Sequence, residues 1–186
     1  MNVLVACEYS AIVRSALEAR GHYALSCDFE RTEVPGCHYQ GDVRQLLGLG
    51  WDLMIAHPPC TRLCNSGVRW LHERDLWPEL DMAAKFFRDL LNAPIPRICV
   101  ENPIPHKYAL DRIGEKYTQI IQPWQFGHGE TKATCLWLKN LPNLVPTSIV
   151  DGREPRIHKM GKSPDRGKER SRFYEGIALA MADQWT

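Results

Sequence analysis

Two residues in this sequence offer complementary chemistry at places where strands end. Cys60 follows the apolar run Asp52 to Ala56 and sits on the turn His57-Pro58-Pro59-Cys60. Two prolines stiffen that turn and would hold the thiol at the rim of a site. A nucleophilic cysteine needs access and a lowered pKa, which His57 and the backbone N–H groups of the rim are placed to supply. Glu101 closes the next apolar run, Arg97 to Glu101, and leads into Asn102-Pro103. Desolvation on an apolar strand favours the protonated acid. A protonated carboxyl beside a thiolate suits addition to a pyrimidine ring, the acid engaging N3 while sulfur attacks C6. The plainer reading of Glu101 is a strand-end carboxylate paired with a lysine or arginine.

The elements that must position these residues follow from hydrophobic pattern. Val3, Leu4 and Val5 are continuously apolar, as in a parallel strand covered on both faces. Ser10 reads as the N-cap of a helix that Gly21 ends. Tyr23 to Asp28 is a second strand ending in an acid, and Asp52 to Ala56 a third. After Trp77, Leu80, Ala84, Phe87 and Leu91 share one helical face, with Pro78 suited to the first turn. Tyr117 to Gln122 and Ala133 to Leu138 read as a late hairpin, and Phe173, Ile177, Met181 and Trp185 as one face of a C-terminal helix. Alternating strands and helices with a late hairpin predict an α/β fold: an open, doubly wound, mostly parallel sheet. Ligands in such sheets sit at the carboxyl ends of the strands, where Glu8, Asp28, Cys60 and Glu101 all fall.

Composition narrows the field. A chain of 186 residues, 44% hydrophobic and 24% charged, suits one globular α/β domain spanning residues 1–186. No apolar run approaches the ~20 residues needed to cross a bilayer. The start shows neither a basic leader nor a cleavage site, so the expected location is the cytoplasm, away from membranes. Seven cysteines without paired spacing read as free thiols, with Cys7, Cys27, Cys99 and Cys135 as small core residues. Net charge is +1, but His158 to Arg172 carries six Lys/Arg against Asp165 and Glu169. That stretch is either a solvated loop or a phosphate-contacting segment, with Lys159, Lys162, Arg166 and Lys168 as contacts.

Pro58-Pro59-Cys60-Thr61-Arg62-Leu63-Cys64 resembles the PPC motif of the DNA cytosine-C5 methyltransferases. Glu101-Asn102-Pro103 is similar to their ENV motif. Phe126-Gly127, followed by Lys132-Ala133-Thr134-Cys135-Leu136-Trp137, resembles their late hairpin, and Arg170 to Trp185 their final helix. The resemblance covers nearly the whole chain in the family's order. It implies the Rossmann-like methyltransferase fold, S-adenosylmethionine as cofactor and cytosine in DNA, duplex or single-stranded, as substrate. Cys60 would add to C6 and Glu101 would stabilise the adduct while C5 takes the methyl group. The segment with Glu8, Tyr9 and Ser10 would meet the cofactor together with Pro58; Asp28 would bind its ribose and Asp42 lie near its adenine. Asn102, Arg62 and Lys132 would face the substrate.

Two features depart from the family. The loop Ala6-Cys7-Glu8-Tyr9-Ser10-Ala11 lacks its glycines. Residues 139–172 form only a short loop region where the family carries a target-recognition domain, so specificity would be low or come from a protein partner. Other readings remain open: a catalytically impaired relative that binds nucleic acid or a host protein, and a methyltransferase acting on free cytosine nucleotide. A zinc-dependent cytosine deaminase is a further rival. It needs H-x-E before P-C-x-x-C; here His128-Gly129-Glu130 follows Pro59-Cys60, and Cys64 comes one residue too late. A structural zinc site would draw on His57, Cys60 and Cys64, with Cys37 or His38 as a fourth ligand.

Overall fold

A computed structural model describes residues 1–161, 163–164 and 166–186. Seven strands form one sheet: β1 (Asn2–Ala6), β2 (Tyr23–Asp28), β3 (His38–Gln40), β4 (Leu53–Ala56), β5 (Arg97–Pro103), β6 (Gln119–Ile121) and β7 (Thr134–Lys139). Their order is β3-β2-β1-β4-β5-β7-β6, with only β7 antiparallel to its neighbours. The order reverses direction at β1 and β4, so the loops leaving those two strands diverge and open a crevice between them.

The apolar runs are continuous because both faces of the sheet are covered. Leu4 and Ala6 of β1, with Met54, Ala56, Ile98 and Val100, face one side. There they pack beneath α2 (Val68–Glu73), α3 (Trp77–Leu91) and α4 (Lys107–Ile113). Val3 and Val5, with Leu53, Ile55 and Cys99, face the other side beneath α1 (Ile12–Glu18) and α7 (Glu175–Trp185). A period of two thus splits each strand between two cores. Between β7 and α7 the described chain forms only two short helices, α5 (Arg156–Lys159) and α6 (Arg166–Ser171). Among the described residues no helix is long and apolar enough to cross a membrane.

One local expectation is corrected. Ser10 does not cap α1: the N-cap is Ala11, in a left-handed conformation with no side-chain cap of its own. The helix's first free N–H groups donate instead to Glu8, Val13 N to Oε1 at 2.6 Å and Arg14 N to Oε2 at 3.2 Å. A carboxylate reaching forward from the strand end does the work of a cap. Arg14 is fully buried and fastens the chain beyond β2. Its guanidinium donates to Ser26 Oγ and to the carbonyls of Val34, Pro35 and Cys37 at 2.8–3.2 Å. Gly36 makes room for it, since a Cβ there would lie 2.8 Å from Arg14 Nη2.

Candidate active site

The rim above β1 and β2 is shaped by a turn that holds two left-handed residues, Cys7 (φ 59°) and Ala11 (φ 62°). Left-handed backbone costs a residue with a Cβ about 1 kcal/mol, so the turn keeps a glycine-like path without glycine. Burial pushes the Cys7 thiol up, and the nearby Asp28, Cys27 and Asp42 add to the effect. Asp28 and Asp42 thus both lie near Cys7. Asp28 Oδ1 accepts from Glu30 N at 2.9 Å. Asp42 accepts from Arg44 N and pairs with the Arg44 guanidinium, which holds its carboxyl below the usual range.

The basic segment lies against this same rim. The Tyr9 hydroxyl donates to the Lys168 carbonyl at 2.8 Å and contacts Ser171 Oγ at 3.2 Å. Lys168 Nζ stands 3.8 Å from Glu30, and Arg172 grips both carboxylate oxygens of Glu33 at 2.7–2.8 Å. Arg166 Nε donates to the Met160 carbonyl, and Lys159 is exposed on α5. Lys162 lies outside the described residues. The segment is thus drawn to the acids after β2 as well as to solvent. Ser10 is buried beneath the turn.

The second rim joins the ends of β4 and β5. Pro58 is buried, Pro59 exposed and Cys60 half-buried. A tight turn follows, with Leu63 N and Cys64 N both donating to the Cys60 carbonyl. That closure sets the two cysteines close enough for the charge of each thiol to act on the other. The expected low pKa falls on the other sulfur. The Cys60 thiol is pushed up, first by its neighbour Cys64, then by burial and by the charge of Glu101, with Lys132 opposing. The Cys64 thiol is drawn down by its neighbour Cys60 and by Ser66, whose Oγ lies 3.1 Å from its sulfur, against burial. Sequence reasoning weighed Cys64 only as a metal ligand; the signal for its place beside Cys60 was the spacing of four residues, which one tight turn spans.

Glu101 faces both Cys60 and the imidazole of His57, whose Nδ1 lies 3.5 Å from Glu101 Oε1. The His57 side chain is 8% exposed, and neither ring nitrogen has a hydrogen-bond partner. It packs on Phe173, ring centroids 4.6 Å apart, and stands near Glu8. Burial pushes the Glu8 carboxyl up, although His57, the two helix N–H groups and Arg14 oppose this.

Because β7 runs against β5, its start lies beside the end of β5, with Thr134 opposite Pro103. Lys132, just before β7, therefore enters the same space. Burial lowers its ammonium, while Glu101 and Cys60 pull the other way. Its Nζ donates to the Arg170 carbonyl at 2.9 Å and lies 5.6 Å from the Tyr174 ring centre. Asn102 is fully buried and its Oδ1 has no partner. Arg62 is half-buried on the Cys60 turn, and its carbonyl accepts from His106 Nε2. Phe173 and Tyr174, named before only as part of the last helix, wall this rim.

The residues of the deaminase rival are engaged elsewhere. His128 Nε2 accepts from Gly176 N at the start of α7, and Glu130 accepts from Arg156 and the Tyr174 hydroxyl. Among the described residues no three His, Cys, Asp or Glu side chains group as a metal site would require. The first rim offers a ligand the carboxylate acceptor of Asp28. Asp28 Oδ2 is free of the Glu30 bond that occupies Oδ1, and the left-handed turn bends the backbone as the missing glycines would.

No known family profile matches the chain, and no curated protein does either. Solved structures do share its fold. One is described as a DNA modification methyltransferase encoded within a prophage of E. coli. It superposes with a TM-score of 0.51 at 13% identity, over 81% of this chain and 52% of that one. The Entamoeba histolytica methyltransferase EhMeth superposes with a TM-score of 0.50 at 15% identity, over 81% of this chain and 57% of that one. The chain thus spans little more than half the length of these structures. At such identities the likeness is one of architecture: a seven-stranded, mostly parallel sheet with one antiparallel hairpin, as in these methyltransferase structures.

Proposed function

We propose that this chain transfers a methyl group from S-adenosylmethionine to C5 of cytosine in DNA, through a covalent bond between Cys60 and C6. The observation that carries the reading is the meeting of Cys60, Glu101 and Lys132 at the adjoining ends of β4, β5 and β7. A cytosine flipped out of its stack would present C6 to the Cys60 sulfur and its N3 and amino group to Glu101. As the S–C6 bond forms, Glu101 holds N3 and steadies the electron-rich ring. The half-buried Lys132 ammonium balances negative charge that collects between thiol and carboxyl. Asn102 Oδ1 accepts from the base. Asp28, Asp42, the turn of Glu8, Tyr9 and Ser10, and Pro58 would hold S-adenosylmethionine, which would supply the methyl group. Loss of the C5 proton then lets the S–C6 bond break and frees the product.

DNA containing 5-fluorocytosine tests the reading, since C5 then has no proton to lose. Wild-type protein with S-adenosylmethionine should form a stable adduct, and Cys60→Ala should form none. Glu101→Gln, nearly isosteric, should keep the fold and lose most turnover. An adduct that survives in Cys60→Ala would overturn the assignment, and full activity in Glu101→Gln would make that residue structural.

A further inference from the structure

Helix α2 carries an aromatic side chain that neither core uses. Leu71 faces inward and is 2% exposed, while His72 on one flank meets the rings of Trp77 and Tyr108 edge-on, at 5.1 and 5.3 Å between centres. On the other flank Trp70 lies outside both cores and is 41% exposed. One exposed ring is ordinary on a protein surface. This one has two guanidiniums over it, Arg74 at 4.3 Å from its centre and Arg69 at 5.4 Å. Glu73 pairs with Arg69, whereas among the described residues Arg74 makes no ion pair. The helix is also fixed to the Cys60 turn. Gly67 N donates to the Cys64 carbonyl at 3.0 Å, and a Cβ on Gly67 would lie 2.6 Å from the Thr61 carbonyl, so no gap separates the start of α2 from that turn. Asn65 N and His106 N, donating to the Ile104 and Leu63 carbonyls, tie both to the exit of β5.

We infer that Trp70 and Arg74 form a contact site for an unpaired stretch of the substrate strand, a base stacking on the indole while the Arg74 guanidinium holds a phosphate. This rests on the chain acting on nucleic acid at Cys60. Every base offers a flat π-face, so an exposed indole holds bases without reading sequence. A planar guanidinium can stay stacked on a ring while its outer N–H groups reach a phosphate. Of the two guanidiniums, Arg74 is the one with no carboxylate to give up. The occupant is an unpaired strand because a duplex keeps the faces of its bases in its own stack. Between β7 and α7 the described chain offers only two short helices, α5 and α6, as a second wall for a duplex. An unpaired strand brings the target base already out of its stack and needs only a grip on a neighbouring nucleotide close to the nucleophile. Trp70, on a helix tied to the Cys60 turn, supplies that grip.

The test reads binding without S-adenosylmethionine, so it is separable from the proposed methyl transfer. A fluorescein-labelled single-stranded oligodeoxynucleotide containing cytosine is titrated with the whole protein by anisotropy, beside the same sequence as a duplex. Trp70→Ala should weaken single-strand binding about tenfold, as the loss of one stacked base does, and weaken duplex binding much less. Trp70→Phe, which keeps a flat ring, should recover most of the loss. Arg74→Gln should lower the slope of log affinity against log salt by about 0.7, the value of one phosphate contact on a single strand. Both side chains are exposed, so thermal unfolding of the variants serves as the folding control. Wild-type affinity in Trp70→Ala overturns the proposal. So do a Trp70→Phe as weak as the alanine variant, an equal loss on duplex, and wild-type protein that binds no single strand. If Trp70 governs binding while 5-fluorocytosine DNA forms no adduct, the methyl-transfer reading fails and the stacking site stands.

Discussion

Gly176 is the narrowest point in the support of the site, and replacing it with alanine has a calculable consequence. A Cβ at Gly176 would stand 1.9 Å from the Phe126 carbonyl oxygen, which is main chain in a tight turn, and 3.1 Å from His128 Nε2. To reach ordinary contact the start of α7 must retreat by more than an ångström. The helix cannot do this freely, because Ile177, Ala178, Met181 and Trp185 are seated in the core. Overpacking of this kind costs about 1–3 kcal/mol, and the bond from Gly176 N to His128 Nε2, worth about 1 kcal/mol, is lost with it. A total of about 2–4 kcal/mol lowers the melting temperature of a domain this size by roughly 5–15 °C. The retreat also drags Phe173 off His57 and Tyr174 off Lys132, so turnover should fall in molecules that remain folded. Thermal unfolding by circular dichroism, with methyl-transfer rates well below the melting point, checks both. Gly167→Ala is the control: nothing lies within 4 Å of its Cβ, and it sits inside α6, so stability should hold or rise. A Gly176→Ala protein as stable and active as wild type refutes the steric argument.

Asp28→Ala should weaken S-adenosylmethionine binding tens-fold, since two hydrogen bonds to a charged acceptor are worth roughly 2–4 kcal/mol; calorimetry showing unchanged affinity would move the cofactor elsewhere. Glu8 has a folded-state carboxyl raised above its ordinary value of 4.5 by burial. Its contribution is therefore fullest below that value and declines as pH rises through the folded one. Glu8→Gln should flatten that decline in urea denaturation across the acid range, and parallel curves for the two proteins would contradict the burial account. Neutralising Lys159, Lys162, Arg166 and Lys168 together should reduce the slope of log affinity against log salt for duplex DNA by about 0.9 per phosphate contact. An unaltered slope would leave the segment as a strap on Glu30 and Glu33 and nothing more.

The sheet was legible because its strands are buried on both faces. Val3 to Ala6, Leu53 to Ala56 and Arg97 to Val100 carry no polar side chain in the core except at the entry, so the runs announce themselves. His38–Gln40 does not: it is a three-residue edge strand with exposed side chains. Helix α4 also passes unnoticed, because its cap is His106, whose Nδ1 accepts from Ala109 N, outside the usual capping residues. Cys60 and Glu101 stood out through their places at strand ends. Lys132 was reached only through resemblance, since its approach depends on the antiparallel course of β7. The partners of the basic segment could not be read at all. Arg172 and Glu33 lie 139 residues apart, and no local pattern links them.

The two rims of the cleft are held by different kinds of charge. Beyond β2 the chain hangs on the Arg14 guanidinium, which spreads its donors over three carbonyls and a hydroxyl. A guanidinium stays protonated wherever proteins stay folded, and its planar fork has no equivalent in lysine. The opposite rim carries Cys64 and Lys132, whose thiol and ammonium are both lowered from their ordinary values. A change of pH therefore leaves the Arg14 anchor beside β2 untouched. The wall beside β2 keeps its shape as a fixed reference, while the wall that carries Cys60 is retuned against it.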